Sequence, residues 1–396
     1  MKILSEETME QYSKTIGERN EVDKLVILPL FVQDILGHNV LNPKWKWTTR
    51  IPQQLFIVFL LVYVILGTND YLKDATDIND IGEAYYTFII ILFFPIKYLL
   101  FIQNRFTLQQ LYAMAKTTLL EMIKADTSAK LDELFAKIKL AVKILFGTIF
   151  WSISVYFIVA MWNYVQGTRV TLSKTTTILM PMTSPYYELG LAIHTVFLFE
   201  MAFTYCVIDL WFVVLMFSFC TAIDSTINRL KIEGKRSDET DEQYMDRLND
   251  ALRIFYQNHS KIMEFLYILS ETYKWPAIIP ILGILLAFCL ILLCMSVEVH
   301  WMFLSNLIPT TTELFAYNWF GDQVKDKGTA LILALSEFDW PNMRTKDKKN
   351  YLIMVSYMNK EFQIKTALGY DLSLVTMSSV FKASYQAFAV LKTVDH

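Results

Sequence analysis

The last apolar stretch of the chain carries side chains that could contact water or ions. From Leu372 to Leu391 it reads LSLVTMSSVFKASYQAFAVL, so hydroxyl residues are interleaved with apolar ones and Lys382 stands in the middle. A helix that crosses a bilayer needs about 20 mostly apolar residues, and its polar groups should face protein or water. The composition of this stretch therefore indicates the wall of a water-filled path.

Charged side chains also occur inside other apolar stretches, where they are costly and need partners. Glu200 and Asp209 share one such stretch, and we expect Asp209 to meet a basic or backbone donor inside the protein. Lys97 and Lys143 lie near the ends of two others. Long side chains at such ends can reach the lipid headgroups, and we expect this of both lysines.

The sequence lacks the patterns of common enzymes. It has no His-Glu-x-x-His, no Gly-rich phosphate loop and no nucleophile elbow, and its five histidines are scattered. We therefore expect no enzymatic activity, no metal and no cofactor. The four cysteines all fall in apolar stretches, which indicates small buried side chains rather than a disulfide framework.

The composition is that of a membrane protein. Hydrophobic residues make up 54% of the 396 and charged residues only 19%, and the mean hydropathy is +0.34. The aromatic content of 15% suits membrane interfaces and ligand pockets. The net charge of −3 argues against nucleic acid as a partner. The first residues include Glu6, Glu7 and Glu10, unlike the basic start of a secretory signal.

Seven stretches are long and apolar enough to be predicted as membrane spans. They are Ile51–Gly67, Tyr85–Ile102, Leu140–Trp162, Leu189–Thr221, Pro276–Val297, Val299–Trp319 and the final Leu372–Leu391. Basic residues are concentrated before the first span and in the second, fourth and sixth connections. The positive-inside rule then predicts a cytoplasmic N-terminus and an extracellular C-terminus.

Two connections on the predicted cytoplasmic side have the apolar spacing of helices, Ala251–Tyr273 and Tyr351–Ile364. The second is too short and too charged to span, so we expect a helix that packs on other protein. The sequence thus predicts an all-α, polytopic membrane protein with seven transmembrane helices and a cytoplasmic helical anchor region.

One motif suggests a family. The sixth span ends in Tyr-Asn-Trp-Phe-Gly-Asp-Gln-Val, residues 317–324, and the last span contains Lys-Ala-Ser-Tyr, residues 382–385. This order resembles insect odorant receptors, whose sixth helix typically ends in Tyr-Cys-x-x-Gly-Asn-Glu and whose last helix carries Lys-Thr-Ser-Tyr-Ser-Tyr-Phe. Here Asn318 stands in place of the usual Cys, Asp322 of Asn, Ala383 of Thr and Ala387 of the second Tyr, whereas Phe388 is kept.

The resemblance implies an odorant-gated, non-selective cation channel in which each subunit contributes its last helix to one pore. A tuning subunit of this kind assembles with a shared odorant co-receptor, as a hetero-oligomer expected to be a tetramer. Its other partners are a small volatile organic ligand, the lipid bilayer and permeant cations. The expected location is the plasma membrane of a sensory neuron dendrite. On this basis we assign residues 1–322 to a ligand-binding bundle and 323–396 to the anchor helix and pore-lining helix.

The resemblance also assigns candidate residues to the pore. Val390 corresponds to the family's hydrophobic constriction, and Val394 lies one turn further outward. Gln386 and Lys382 precede Val390 by one and two turns on nearly the same helical face, so they are candidates for contact with the aqueous path. Lys382 has two alternatives, which are reaching the headgroups and pairing with a carboxylate such as Asp371.

In this family the odorant pocket lies in the outer half of the bundle, among the second, third, fourth and sixth spans. Residues of suitable depth and spacing here are Tyr86, Ile90, Phe93, Trp151, Ser154, Ile158, His194, Phe197, Met201, Trp301, Leu304 and Asn306. An aromatic and methionine-rich lining with few polar groups suits a small volatile ligand. His194 is either a structural residue or a hydrogen-bonding partner of the ligand.

The sequence disfavours three other classes of membrane protein. A G-protein-coupled receptor also has seven spans, but it should have an extracellular N-terminus, an outer disulfide and Asn-Pro-x-x-Tyr in its last helix, all absent here. A secondary transporter is disfavoured because no internal repeat is evident. A gustatory-type ligand-gated channel would share the mechanism, but its usual Thr-Tyr and Gln-Phe pattern is missing from the last helix.

Overall fold

The computed structural model describes residues 27–35, 41–42, 45–46, 51–75, 78–127, 131–171, 181–295, 301–358 and 362–394. Within these ranges the α-helices are α1 (Ile27–Ile35), α2 (Ile51–Asp74), α3 (Ile78–Gln103), α4 (Arg105–Met114), α5 (Leu120–Lys124), α6 (Leu131–Val165), α7 (Tyr186–Leu230), α8 (Asp241–Tyr273), α9 (Ile278–Met295), α10 (Trp301–Ser336), α11 (Thr345–Met358) and α12 (Leu374–Val394). A π-helical turn, Ala115–Leu119, joins α4 to α5, and a short 3₁₀ helix, Trp340–Asn342, precedes α11.

Each of the seven predicted spans overlaps one helix, which confirms the all-α class. Residues 296–297 of the fifth predicted span and 299–300 of the sixth lie outside the described residues. Several helices are longer than the bilayer requires: α7 has 45 residues, about 68 Å at 1.5 Å per residue, against a hydrocarbon core of about 30 Å. By length and composition alone, α3, α6, α7 and α9 qualify as membrane spans within the described residues.

The long helices continue beyond the spans into a helical region that we call the anchor region. It comprises α8, α11, residues 210–230 of α7 and residues 320–336 of α10. The end of the bundle that contains it is called the anchor end, and the opposite end the far end. Because α10 is continuous from Trp301 to Ser336, it crosses the boundary drawn at residues 322/323 and ties the spans to the anchor region.

The predicted helix at Tyr351–Ile364 is shorter in the structure. Helix α11 ends at Met358, and Phe362–Ile364 belong to no helix. Phe362 is buried, and its side chain lies so close to Gly328 on α10 that a Cβ there would come within 2.5 Å of it. The Phe362 side chain therefore packs on α10. Its apolar character reflects this contact and not a continuation of α11.

The core is centred on α7, which is buried over most of its anchor half. Phe212 stacks on Tyr317 with ring centroids 4.4 Å apart, and Phe217 meets Phe320 edge-on at 4.9 Å. At α1, Gln33 accepts a hydrogen bond of 3.1 Å from the indole of Trp211. The aromatic residues of the 317–324 motif therefore form the contact between α10 and α7.

Helix α8 begins with a capping box in which Thr240 and Gln243 bond each other's backbone N–H groups. Its residue Asn258, part of an Asn-x-Ser triplet, is buried and donates a 3.4 Å hydrogen bond to Thr226 of α7. All four cysteines lie in α7 and α9 as free thiols; Cys206, Cys289 and Cys294 are buried as expected, and Cys220 is half-buried.

Candidate functional site: a buried cavity and the last helix

A cavity of about 240 Å³ lies inside the bundle, walled by α2, α3, α6, α7, α9 and α10. Along α7 its wall extends from His194 to Asp209, about 22 Å at 1.5 Å per residue. The lining is mainly aromatic and aliphatic. Polar side chains are grouped at Asn306, nearer the far end, and at Asp209 and Glu313, nearer the anchor end. An apolar chamber with a few polar groups is the usual form of a small-molecule site.

The polar group nearer the far end is neutral and is organised by Asn306. Its amide nitrogen donates to the Tyr156 hydroxyl at 2.5 Å, and its amide oxygen accepts a hydrogen bond from Ser152. These bonds join α6 to α10 across the cavity wall. They leave uncharged hydroxyl and amide groups facing the chamber.

His194 is buried in the wall and only partly bonded. Its Nε2 lies 3.4 Å from the Tyr63 hydroxyl, and its ring packs against Tyr63 and Phe197 with centroids 5.8 and 6.4 Å apart. The other nitrogen, Nδ1, is buried and has no hydrogen-bond partner in the described part of the chain. Leaving such an atom unbonded is unfavourable, so it is free to bond a polar atom of a ligand.

The polar group nearer the anchor end is ionic and joins three helices. Lys97 of α3 donates to Asp209 of α7 at 2.6 Å and to Glu313 of α10 at 2.7 Å. The Tyr317 hydroxyl donates to Asp209 at 2.9 Å, and the Lys97 ammonium sits 3.5 Å from the ring centroid of Tyr205. All three charged side chains are buried, with Lys97 0% exposed.

The sequence-based expectation for Lys97 is wrong, whereas the one for Asp209 is confirmed. Lys97 does not reach the headgroups as predicted, because it is enclosed between the two carboxylates. Asp209 finds the basic donor expected of it. Lys97 stands 112 residues from Asp209 and 216 from Glu313 along the chain, so no local pattern connects them. The one available signal was three charged residues in apolar spans, which a bundle can neutralise only by bringing opposite charges together.

The 317–324 motif fixes the start of α12. A Cβ at Gly321 would lie 2.0 Å from the Leu372 carbonyl oxygen, so only glycine permits this approach. Asn318 accepts a bond from the backbone N–H of Ser373 at 3.0 Å, and Asp322 accepts one from that of Leu374 at 2.9 Å. These N–H groups at the helix start have no partner within the helix, and the motif provides one.

Helix α12 packs on α9 and α10 with one face and leaves the other uncovered. Ser384 and Val380 point inward, and Phe381 meets Phe288 of α9 edge-on at 5.3 Å. The outer face includes Lys382, Gln386 and Val390, the last 62% exposed. Within the described residues, neither Lys382 nor Gln386 has a hydrogen-bond or ion-pair partner.

A family model described as 7tm Odorant receptor matches residues 77–385, most of the chain. The chain belongs to the 7tm Odorant receptor family. This odorant receptor is therefore a membrane protein and not an enzyme, as the sequence predicted. The matched range includes the cavity, the anchor region and α12 up to Tyr385.

Two curated relatives are similar over part of their length. Odorant receptor 10 of Aedes albopictus is 21% identical over 142 residues, which are 35% of this chain and 38% of that receptor. Odorant receptor Or2 of Anopheles gambiae is 21% identical over 140 residues, 34% of this chain and 37% of that receptor. The alignments thus span less than two fifths of either relative.

Solved structures match almost the whole receptor. The insect olfactory receptor OR5 from Machilis hrabei in complex with eugenol aligns with a TM-score of 0.71 and 13% identity, covering 94% of this chain and 100% of that one. The structure of OR5 described without a ligand gives a TM-score of 0.73 and 14% identity, covering 94% and 98%. At these identities the likeness shows the fold.

The structure brings seven of the twelve predicted pocket residues of this receptor to the cavity. They are Tyr86, Ile90, Phe93, His194, Phe197, Met201 and Asn306. Leu304 is half-buried but does not line the cavity, and the side chain of Trp301 lies outside the described residues.

In the third span, the predicted pocket residues lie on the face of the helix that points away from the cavity. Trp151 and Ile158 face outward, 57% and 61% exposed, and Ser154 bonds the carbonyl of Phe150 in its own helix. The polar residues of this helix that line the cavity are instead Thr148, Ser152 and Tyr156. Their polar atoms recur every four residues in an apolar helix, a signal that would have identified the inner face.

The pore candidates are placed as follows. Lys382, Gln386 and Val390 lie on the uncovered face of α12, and the side chain of Val394 is outside the described residues. The suggested partner of Lys382 is engaged elsewhere, because Asp371 forms a 3.0 Å ion pair with Lys325. No three His, Cys, Asp or Glu side chains come together as a metal site in the described ranges.

Proposed function

We propose that this receptor is the ligand-binding subunit of an odorant-gated, non-selective cation channel. The observation that carries the proposal is that α10 contributes to both parts of such a device. Asn306, Thr310 and Glu313 line the cavity, and Asn318 to Asp322 hold the start of α12. A change in the cavity and a change at the last helix are therefore linked by one continuous helix.

The proposed ligand site is the cavity. A small volatile molecule fits its volume and its aromatic and aliphatic lining, and His194 Nδ1 offers a buried hydrogen-bonding atom beside Phe197 and Met201. The neutral group at Asn306 offers amide and hydroxyl groups nearby. The matching fold of OR5 has been solved with the small aromatic compound eugenol, which supports a ligand of similar size here.

The proposed pore wall is the uncovered face of α12. Lys382 and Gln386 would contact water there, and a ring of Val390 side chains from several subunits would close the path by excluding water. Val394 would extend this ring by one turn. The remaining subunits would include the odorant co-receptor, in a hetero-oligomer expected to be a tetramer. Support comes from the exposure of this half-polar face in a single subunit.

Gating would follow from a difference in affinity. A ligand that binds more tightly when α10 is arranged for an open pore shifts the population towards that arrangement. The N-terminus and anchor region would face the cytoplasm, as the basic connections predict, in the plasma membrane of a sensory neuron dendrite.

The test is expression with and without the co-receptor under voltage clamp, with a panel of volatiles. We expect ligand-evoked cation current that requires both subunits and is weakened in His194→Phe, which keeps an aromatic ring but removes Nδ1. Ser154→Ala is the matched control, because Ser154 bonds only its own helix. Second-messenger signalling without direct current would contradict the channel proposal.

A further inference from the structure

The ionic cluster at the anchor end of the cavity has an unbalanced charge. Asp209 and Glu313 bring two carboxyl groups, whereas Lys97 is the one cation that bonds them among the residues described by the structure. With all three ionised, the formal charge is −1 in a site where the three residues are 3%, 4% and 0% exposed. A buried charge without a counter-charge is costly, so the cluster holds either a proton on one carboxyl group or a further cation.

The cluster also has more acceptor positions than donors. Two carboxylates offer about four acceptor positions each. Lys97 provides three N–H donors, and the Tyr317 and Tyr205 hydroxyls provide one each. Several acceptor positions therefore remain for a donor that comes from elsewhere.

The cavity meets the acidic side of the cluster. Asp209, Glu313 and Tyr205 are among its lining residues, whereas Lys97 is not among those described there. A molecule in the cavity therefore encounters two carboxylates first, and the ammonium lies behind them. The rest of the cavity wall is mainly aromatic and aliphatic. It includes Phe94 of α3 and Met201 of α7.

We infer that Asp209 and Glu313 form a subsite for a protonated amino group, so that this receptor recognises small amines with an apolar body. This rests on the proposed function of the cavity as the ligand site. An alkylammonium in place of that proton supplies a positive charge and up to three N–H donors, and its apolar part occupies the aromatic chamber. The neutral polar group at Asn306 carries no negative charge, so it does not distinguish an amine from an alcohol.

The first experiment compares ligands of matched shape on the wild-type receptor with its co-receptor under voltage clamp. The pairs are 2-phenylethylamine with 2-phenylethanol and cyclohexylamine with cyclohexanol, at neutral pH, where alkylamines are protonated. We expect each amine to act at a concentration at least about tenfold lower than its alcohol, because charged hydrogen bonds exceed neutral ones. Action means opening the channel or competitively blocking the response to another volatile.

The second experiment tests the carboxylates. Glu313→Gln keeps the shape of the side chain and removes the charge, and we expect it to reduce the amine-to-alcohol preference to about one while the alcohol response persists. Thr310→Val is the matched control, since Thr310 also lines the cavity one turn away and its hydroxyl bonds the carbonyl of Asn306 at 2.9 Å. It should leave the preference unchanged. Surface labelling of each variant confirms that it reaches the membrane.

The outcomes separate the two proposals. Alcohols that act while their amines do not, or act equally well, would overturn the amine subsite and leave the odorant-gated channel standing. The wild-type comparison decides this even where Glu313→Gln fails to reach the surface. An equal loss of preference in Thr310→Val and Glu313→Gln would also overturn it. Absence of current with every volatile would refute the proposed function, and the inference with it.

Discussion

Helices α7 and α12 are both apolar helices with polar side chains, yet they satisfy those side chains in opposite ways. On α7 the one fully enclosed carboxylate, Asp209, bonds Lys97 and Tyr317 from two other helices. On α12, Lys382 and Gln386 are exposed and bond nothing within the described chain. A polar residue in a membrane helix needs a partner, and only for α7 does this subunit provide it.

The hydroxyl residues do not show this difference. Ser218 and Thr226 of α7 donate to the carbonyl four residues earlier in the same helix, and so do Ser379 and Ser384 of α12. A hydroxyl can therefore be satisfied in any membrane helix by its own backbone. The lysine and the glutamine are what distinguish α12, since their polar groups need water or another subunit.

The largest effect should come from Lys97→Met, which leaves two buried carboxylates facing each other. We expect a loss of about 3–5 kcal/mol in the free energy of unfolding, the range for breaking a buried ion pair. Thermal unfolding of the detergent-purified subunit measures it. Lys382→Met on α12 is the control and should change stability by less than about 0.5 kcal/mol. Equal losses in both variants would remove the contrast between the helices.

A smaller effect is expected where α10 holds α12. Asn318→Ala leaves the Ser373 N–H and the Leu314 carbonyl without their side-chain partner, at a cost of about 2 kcal/mol. The same unfolding assay detects it, and ligand-evoked current should fall because α12 is less firmly held. Ser336→Ala, an exposed change later in α10, serves as the control. Normal current together with lost stability would argue that the motif is structural only.

Truncating an apolar side chain should lower the free energy of unfolding by about 1 kcal/mol more on α7 than on α12. Ile223→Val removes one methylene from a fully buried site on α7, and such changes cost about 0.5–1.5 kcal/mol. Val375→Ala removes more atoms from a site that is 77% exposed on α12, yet it should cost the isolated subunit almost nothing. A larger loss in Val375→Ala would show that this face is covered within one subunit.

The smallest effect on stability is expected from Val390→Ala, within about 0.5 kcal/mol, because the side chain is largely exposed. Its effect on function should be clear, since a smaller ring weakens the exclusion of water from the pore. Basal current and relative ion permeability under voltage clamp measure this. Val375→Ala, the same substitution at the other end of the exposed face of α12, is the comparison. Unchanged conductance with normal surface expression would count against Val390 as the constriction.

Hydropathy predicted all seven spans because the requirement for about 20 apolar residues is a property of each segment alone. The 317–324 motif was recognised for a similar reason, since residue types at fixed spacing can be read directly. The role of these residues in the fold could not be inferred from the sequence. That Gly321 admits the Leu372 carbonyl, and that Asn318 and Asp322 bond the start of α12, depends on segments about 50 residues apart.

The sequence by itself determined the seven apolar helices, the helix that precedes the fifth span, and that Asp209 needs a partner. Only the tertiary structure decided that this partner is Lys97, and that Ser152 and Tyr156 rather than Trp151 and Ile158 face the cavity. The physical reason is that lipid is as apolar as a protein core, so the inward and outward faces of a membrane helix have similar composition. Rotation and charge pairing are then set by contacts between distant helices.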